Sequence, residues 1–122
     1  MKKILVVDDH AAVRELVGVT LEIGPYHILT AENGDQALEV ARAELPELML
    51  LDIQMPGGQL DGLEVCRQLK NDELTRNIYI VLLTAKGQEW DKKLGFDAGA
   101  DDYFVKPFSP LDLMNKVEEV LS

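Results

Sequence analysis

Five short apolar runs recur along the chain, and the stretches between them repeat with a helical period. The runs are residues 3–8, "YHILTA" at 26–31, "LMLLD" at 48–52, "IYIVLLT" at 78–84 and "DYFVK" at 102–106. Several lack the apolar–polar alternation of a half-exposed strand. A strand that is apolar at every position must be covered on both faces, which calls for a parallel sheet with helices above and below it. Between the first two runs, Ala12, Val13, Leu16, Val17, Thr20 and Leu21 follow an i, i+3, i+4, i+7, i+8 stripe, one face of a helix. Gly24-Pro25 stops that helix, and Asn33-Gly34 turns the chain after the second strand. Further helices are predicted over 35–44, 62–70, 88–98 and 110–121, the last opened by a Ser109 cap and by Pro110 in its first turn. The order is (βα)5: an α/β, doubly wound, five-stranded parallel sheet. With 122 residues, 47% of them apolar, the chain suffices for one domain over 1–122 with a real core.

Composition narrows the function classes. The net charge of −10 repels nucleic acid, so direct DNA or RNA binding by this domain is not expected. No apolar run reaches the roughly 18 residues of a membrane span. The basic start "MKK" leads into a run too short for a signal peptide, and the single cysteine, Cys66, allows no internal disulfide. A cytoplasmic setting is the expectation.

Ligands of such sheets bind at the carboxyl ends of the strands, near the point where strand order reverses. The first strand ends in Asp8-Asp9, the third in Asp52, the fourth in Thr84 and the fifth in Lys106. If the second strand lies at an edge, these ends converge. Adjacent carboxylates disfavour each other's ionised forms, and a hard divalent cation such as Mg²⁺ offsets that repulsion. A carboxylate can also attack phosphorus to give an acyl phosphate. Mg²⁺, an ammonium and a hydroxyl would then neutralise and orient the transferring group. Asp52 fills the role of nucleophile, Asp8 and Asp9 surround the metal, and Lys106 and Thr84 meet the phosphoryl oxygens. Taken singly, each residue has a plainer reading: a helix cap for Asp8 and Asp9, a loop acid for Asp52, a solvated lysine for Lys106, a β-branched strand residue for Thr84. Their joint placement favours the site. His10 and His27 are read as surface or locally satisfied polar residues rather than ligands, and Cys66 as a small packing group.

The motifs "ILVVDDH", "LLDIQMPG…DG", "VLLTA" and "GADDYFVKPF", spread over residues 4–108, resemble those of response-regulator receiver domains, the phosphoacceptor modules of two-component signalling. The resemblance implies a flavodoxin-like sheet of order 2-1-3-4-5. It implies that Asp52 takes a phosphoryl group from a phosphohistidine on a sensor histidine kinase or a histidine phosphotransfer protein. Asp9, Asp52 and the Gln54 backbone carbonyl would ligate Mg²⁺ directly, and Asp8 largely through water. Thr84 and Tyr103 match the family's switch pair, Lys106 its lysine, and the Lys106–Pro107 bond would be cis. One departure stands out. Gly57, Gly58, Gln59 and Leu60 separate Pro56 from Asp61-Gly62, two residues more than the family usual.

The resemblance also implies a switch surface on the fourth helix, fifth strand and fifth helix. There Phe96 and Met114 would form an apolar patch, with Lys92 and Asp112, and Asp102 and Lys116, paired across a twofold homodimer formed on phosphorylation. Otherwise the surface would dock a downstream output protein. Two rivals are a receiver-like module working by protein contact without phosphorylation, and an Asp-nucleophile phosphatase. The phosphatase needs a second acid two residues after its nucleophile, a position that counted from Asp8 holds His10.

Overall fold

A computed structural model describes residues 1–53, 61–85, 90–106 and 108–121, the side chains of 85 and 90–92 excepted. Its elements are β1 (Lys2–Val7), α1 (Ala11–Leu21), β2 (Tyr26–Ala31), α2 (Gly34–Glu44), β3 (Leu48–Asp52), α3 (Gly62–Lys70), β4 (Tyr79–Ala85), α4 (Trp90–Asp97), β5 (Asp102–Lys106) and α5 (Pro110–Leu121). The strands form one parallel sheet in the order β2-β1-β3-β4-β5, with β2 at an edge as expected. Predicted and observed bounds differ by two residues at most.

The unbroken apolar runs follow from two cores. Leu5, Val7, Met49, Leu51, Ile80 and Leu82 face the core shared with α2 and α3, which Ala98 at the end of α4 joins. Their neighbours Ile4, Val6, Leu48, Leu50, Val81 and Leu83 face the core shared with α1 and α5. A one-residue slip in register would exchange the two sets. Full burial of each such side chain stabilises the fold by about 1.5–3 kcal/mol.

The helix ends are locally encoded. Asn33 Oδ1 accepts from the Gln36 amide at 2.9 Å, Asp61 Oδ1 from Glu64 at 2.8 Å, and Ser109 Oγ from Asp112 at 3.0 Å. Leu45 ends α2 in the left-handed region, at φ 48°, just ahead of Pro46. The α1 stripe is narrower than its sequence predicts. Val17, Thr20 and Leu21 are buried, but Ala12 is exposed and Leu16 is 45% exposed. Among the described residues the helix packs chiefly on β1, β2 and α5, and the outer edge of its apolar arc is left exposed.

Candidate functional site

Register brings the strand ends together. Val7 pairs with Leu51, so Asp8 follows beside Asp52; Asp52 pairs with Leu83, one residue before Thr84; and Ala85 pairs with Lys106. Asp8 is fully buried, Asp52 is 6% exposed and Thr84 3%. These polar residues lie at the ends of apolar strands in a sheet covered on both faces, which is why they lie at the floor of the site instead of on its rim.

Lys106 spans the acids. Its Nζ donates to Asp8 Oδ2 at 2.7 Å and stands 3.2 Å from Asp52 Oδ2. His10 lies on the other side of Asp8. Its amide donates to Asp8 Oδ1 at 2.9 Å, and its ring Nδ1 stands 3.0 Å from the same oxygen and 3.1 Å from Asp9 Oδ1. Arg14 Nη1 donates to the Asp8 backbone carbonyl at 2.7 Å. Burial pushes the Asp8 carboxyl up, but the Lys106 hydrogen bond and charge and the His10 contacts outweigh it, and Asp8 is net lowered. For Lys106, burial acts downward and the Asp8 hydrogen bond with the Asp52 and Asp8 charges acts upward, with a net rise. Both shifts favour a charged pair.

Asp8, Asp9, His10 and Asp52 offer ligand atoms within 4.8 Å of one another, which could hold a metal ion. Asp9 Oδ1 is buried and has no hydrogen-bond partner among the described residues; the His10 contact lacks hydrogen-bond geometry. A buried carboxylate oxygen left unsatisfied is costly, and a divalent cation between the acids would satisfy it. The donor set therefore fits a metal of the Mg²⁺ class.

The sequence reading set His10 aside, and the structure draws it into the cluster. Arg14 was also missed, because only a folded first turn of α1 aims its guanidinium back at Asp8. Gly62 has a steric role. A Cβ there would stand 2.2 Å from the Asp52 carbonyl oxygen and 2.8 Å from Ile53 Cα. The Gly62 amide donates to the Ile53 carbonyl at 3.0 Å. The start of α3 is thus pressed against the backbone that carries Asp52.

Tyr103 is half-buried, and its ring meets the 48%-exposed Phe96 edge-on, with centroids 5.9 Å apart. Met114 is partly buried and packs against the α1–α5 core. Asp102 and Lys116, expected to pair across a twofold, pair within the chain: Lys116 Nζ donates to Asp102 Oδ2 at 2.7 Å. Asp112 is exposed and His27 is exposed on β2. Gln54, the 57–60 insertion, the Lys92 side chain and the Lys106–Pro107 bond lie outside what the structure describes.

Residues 4–118 match the family model described as the response regulator receiver domain. The chain is 49% identical over 120 residues to the phosphate regulon transcriptional regulatory protein PhoB of Pseudomonas aeruginosa, covering 98% of this chain and 52% of that protein. It is 46% identical to the alkaline phosphatase synthesis transcriptional regulatory protein PhoP of Bacillus subtilis, covering 98% and 48%. It spans about half the length of these curated relatives. Among solved structures, the chemotaxis protein CheY4 of Vibrio cholerae superimposes with a TM-score of 0.90 at 30% identity, covering 99% of each chain. No described helix is long and apolar enough to cross a membrane.

Proposed function

The chain belongs to the response regulator receiver domain family of two-component systems, and from that premise we propose that Asp52 is its phosphoacceptor. The observation that carries this is the Asp52 carboxylate at the end of β3, 6% exposed, with Lys106 Nζ 3.2 Å away and Asp8 and Asp9 in the same cluster. An Asp52 oxygen attacks phosphorus on a phosphohistidine of a sensor kinase or phosphotransfer protein. The new P–O bond forms as the P–N bond breaks, and the imidazole leaves with the electron pair. Asp8, Asp9, Asp52 and the Gln54 carbonyl would hold Mg²⁺, which when bound supplies positive charge to the phosphoryl oxygens. Lys106 orients those oxygens by turning its ammonium from the carboxylates to the new group, and the Thr84 hydroxyl donates to another. The resulting acyl phosphate is hydrolysed by water at the same site, so the domain turns over only its own phosphoryl group.

Thr84 and Tyr103 form the switch of this reading. Thr84 moves toward the phosphoryl group, Tyr103 turns in behind it, and the α4–β5–α5 surface rearranges for a second copy or an output protein. Residues 1–122 act as one receiver domain. Acetyl phosphate with Mg²⁺ should add one phosphoryl mass to the protein, and none to Asp52→Asn. An equal mass shift in the Asn variant would defeat the assignment.

A further inference from the structure

His10 occupies the N-cap position of α1, where a side chain ordinarily accepts from the amides of the first turn, yet it makes no such bond. Its ring is turned toward the acids. Nδ1 lies 3.0 Å from Asp8 Oδ1 and 3.1 Å from Asp9 Oδ1, while two-thirds of the side chain stays in water. Nδ1 is thus aimed into the same space as three carboxylates.

We propose that His10 Nδ1 is a further protein ligand of this site for first-row transition ions, Co²⁺ above all and Mn²⁺ more weakly, and that Mg²⁺ does not recruit it. The inference deepens the reading of the acids as a divalent-cation site and rests on it. Three carboxylates alone make an oxygen set suited to hard ions. An imidazole nitrogen shifts the preference toward later first-row ions, which gain more from nitrogen than Mg²⁺ or Mn²⁺ do; Co²⁺ stands above Mn²⁺ in the general affinity order.

Distances allow it. Ligand atoms at about 2.0–2.2 Å from an ion stand at most about 4.4 Å apart when opposite. The four candidate atoms lie within 4.8 Å of one another, close to the separation that a shared ion allows. The ring, with two-thirds of the side chain in water, is held among the described residues by polar contacts to the two carboxylates that would share the metal. Lys106 binds Asp8 through Oδ2, whereas His10 approaches Oδ1, so the two cationic or polar partners do not compete for one lone pair. His10 thereby shifts which ion the acceptor site prefers, away from the hard ions that an all-oxygen set favours.

The test uses the full chain at fixed neutral pH. Mg²⁺ and Co²⁺ affinities are measured by calorimetry for the parent, His10→Ala and His10→Asn. The Asn variant keeps a good N-cap residue and guards against loss of α1. Co²⁺ affinity should fall about tenfold or more in both variants, the scale on which a lost metal partner is felt, while Mg²⁺ affinity stays within about twofold. With Mn²⁺ bound, electron spin-echo modulation should carry a directly coordinated nitrogen in the parent and in His27→Asn, and lose it in His10→Ala. Co²⁺ affinity unchanged by both His10 variants, or a nitrogen signal that persists without His10, would overturn the inference while leaving the cation site standing. Failure of the parent to bind Mg²⁺ at all would instead remove the cation-site reading beneath it.

Discussion

Lys106 and Asp8 are 98 residues apart in the chain and joined by a 2.7 Å hydrogen bond between Nζ and Oδ2. The bond ties the end of β5 to the end of β1 across β3 and β4, and it gives a fully buried carboxylate its cation. Lys106→Met removes that cation and leaves Asp8 with His10 alone among the side-chain partners described. The variant should lose about 1–3 kcal/mol of unfolding free energy at neutral pH, measured in urea. Lys106 and a divalent ion draw on the same carboxylates. Mg²⁺ should therefore raise the melting temperature of Lys106→Met by more than it raises the parent's. A smaller rise in the variant would contradict this competition.

The contact of Gly62 with the Asp52 backbone makes a sharper steric prediction. Backbone atoms 2.2 and 2.8 Å from an added Cβ cannot swing aside as a flexible side chain could. Gly62→Ala should destabilise the fold by about 1–3 kcal/mol, the range for overpacking. It should also slow phosphorylation by acetyl phosphate at temperatures where the variant is fully folded, because α3 pushes on the backbone carrying Asp52. Unchanged kinetics in a destabilised variant would confine the contact to a folding role.

Burial pushes the Cys66 thiol up to about 11, with the Asp101 charge adding to the rise and the Lys70 charge opposing it. At pH 8 the native thiol should resist iodoacetamide, while the urea-unfolded chain reacts. The stabilisation that comes from keeping this thiol neutral is complete below its ordinary value of 9.0 and is lost as pH rises through about 11. Cys66→Ala should show a shallower fall in stability over that alkaline window. Rapid labelling of the folded protein at pH 8 would show that α3 opens far more readily than its packing implies.

Lys116 is raised by its hydrogen bond to Asp102, so whatever the pair contributes is present below the ordinary lysine range and disappears as pH rises through the shifted value. Both side chains are about three-quarters buried, at 23% and 25% exposed, near the surface. A double-mutant cycle with Asp102→Asn and Lys116→Met should give a coupling of about 0.2–1 kcal/mol that shrinks with added salt. A twofold contact built on Asp102 and Lys116 would share these groups with the bond inside each chain. Sedimentation with beryllium fluoride, a phosphoryl mimic, should therefore show any dimer as no weaker in Asp102→Asn than the loss of two such exchanges, one for each copy, predicts. Complete loss of a dimer in that variant would instead favour the cross-pair.

Much of the fold was legible because its signals are local. Apolar runs without alternation demand cover on both faces, Asn33, Asp61 and Ser109 cap their helices by bonds to residues three positions on, and Gly24-Pro25 and Pro46 interrupt helices by backbone geometry alone. Polar residues at the ends of such runs point to the site, since a parallel sheet lines up its carboxyl ends. What the sequence by itself determined is therefore which residues end the strands and on which strand each sits.

Only the tertiary structure decided their partners. Lys106 lies against Asp8 as well as Asp52 because the register of four strands sets how far its ammonium reaches. Asp102 met Lys116 of its own chain because α5 folds back beside β5, which no spacing rule distinguishes from a pair across two copies. Leu16 stayed in water because α1 is covered only along a narrow seam. His10 joined the acids because the chain enters α1 through it in an extended conformation, with backbone angles of −91° and 115°, and its ring reaches Asp8 and Asp9 instead of capping the helix. Distances between side chains far apart in sequence depend on the summed geometry of everything between them, and no local pattern carries that sum.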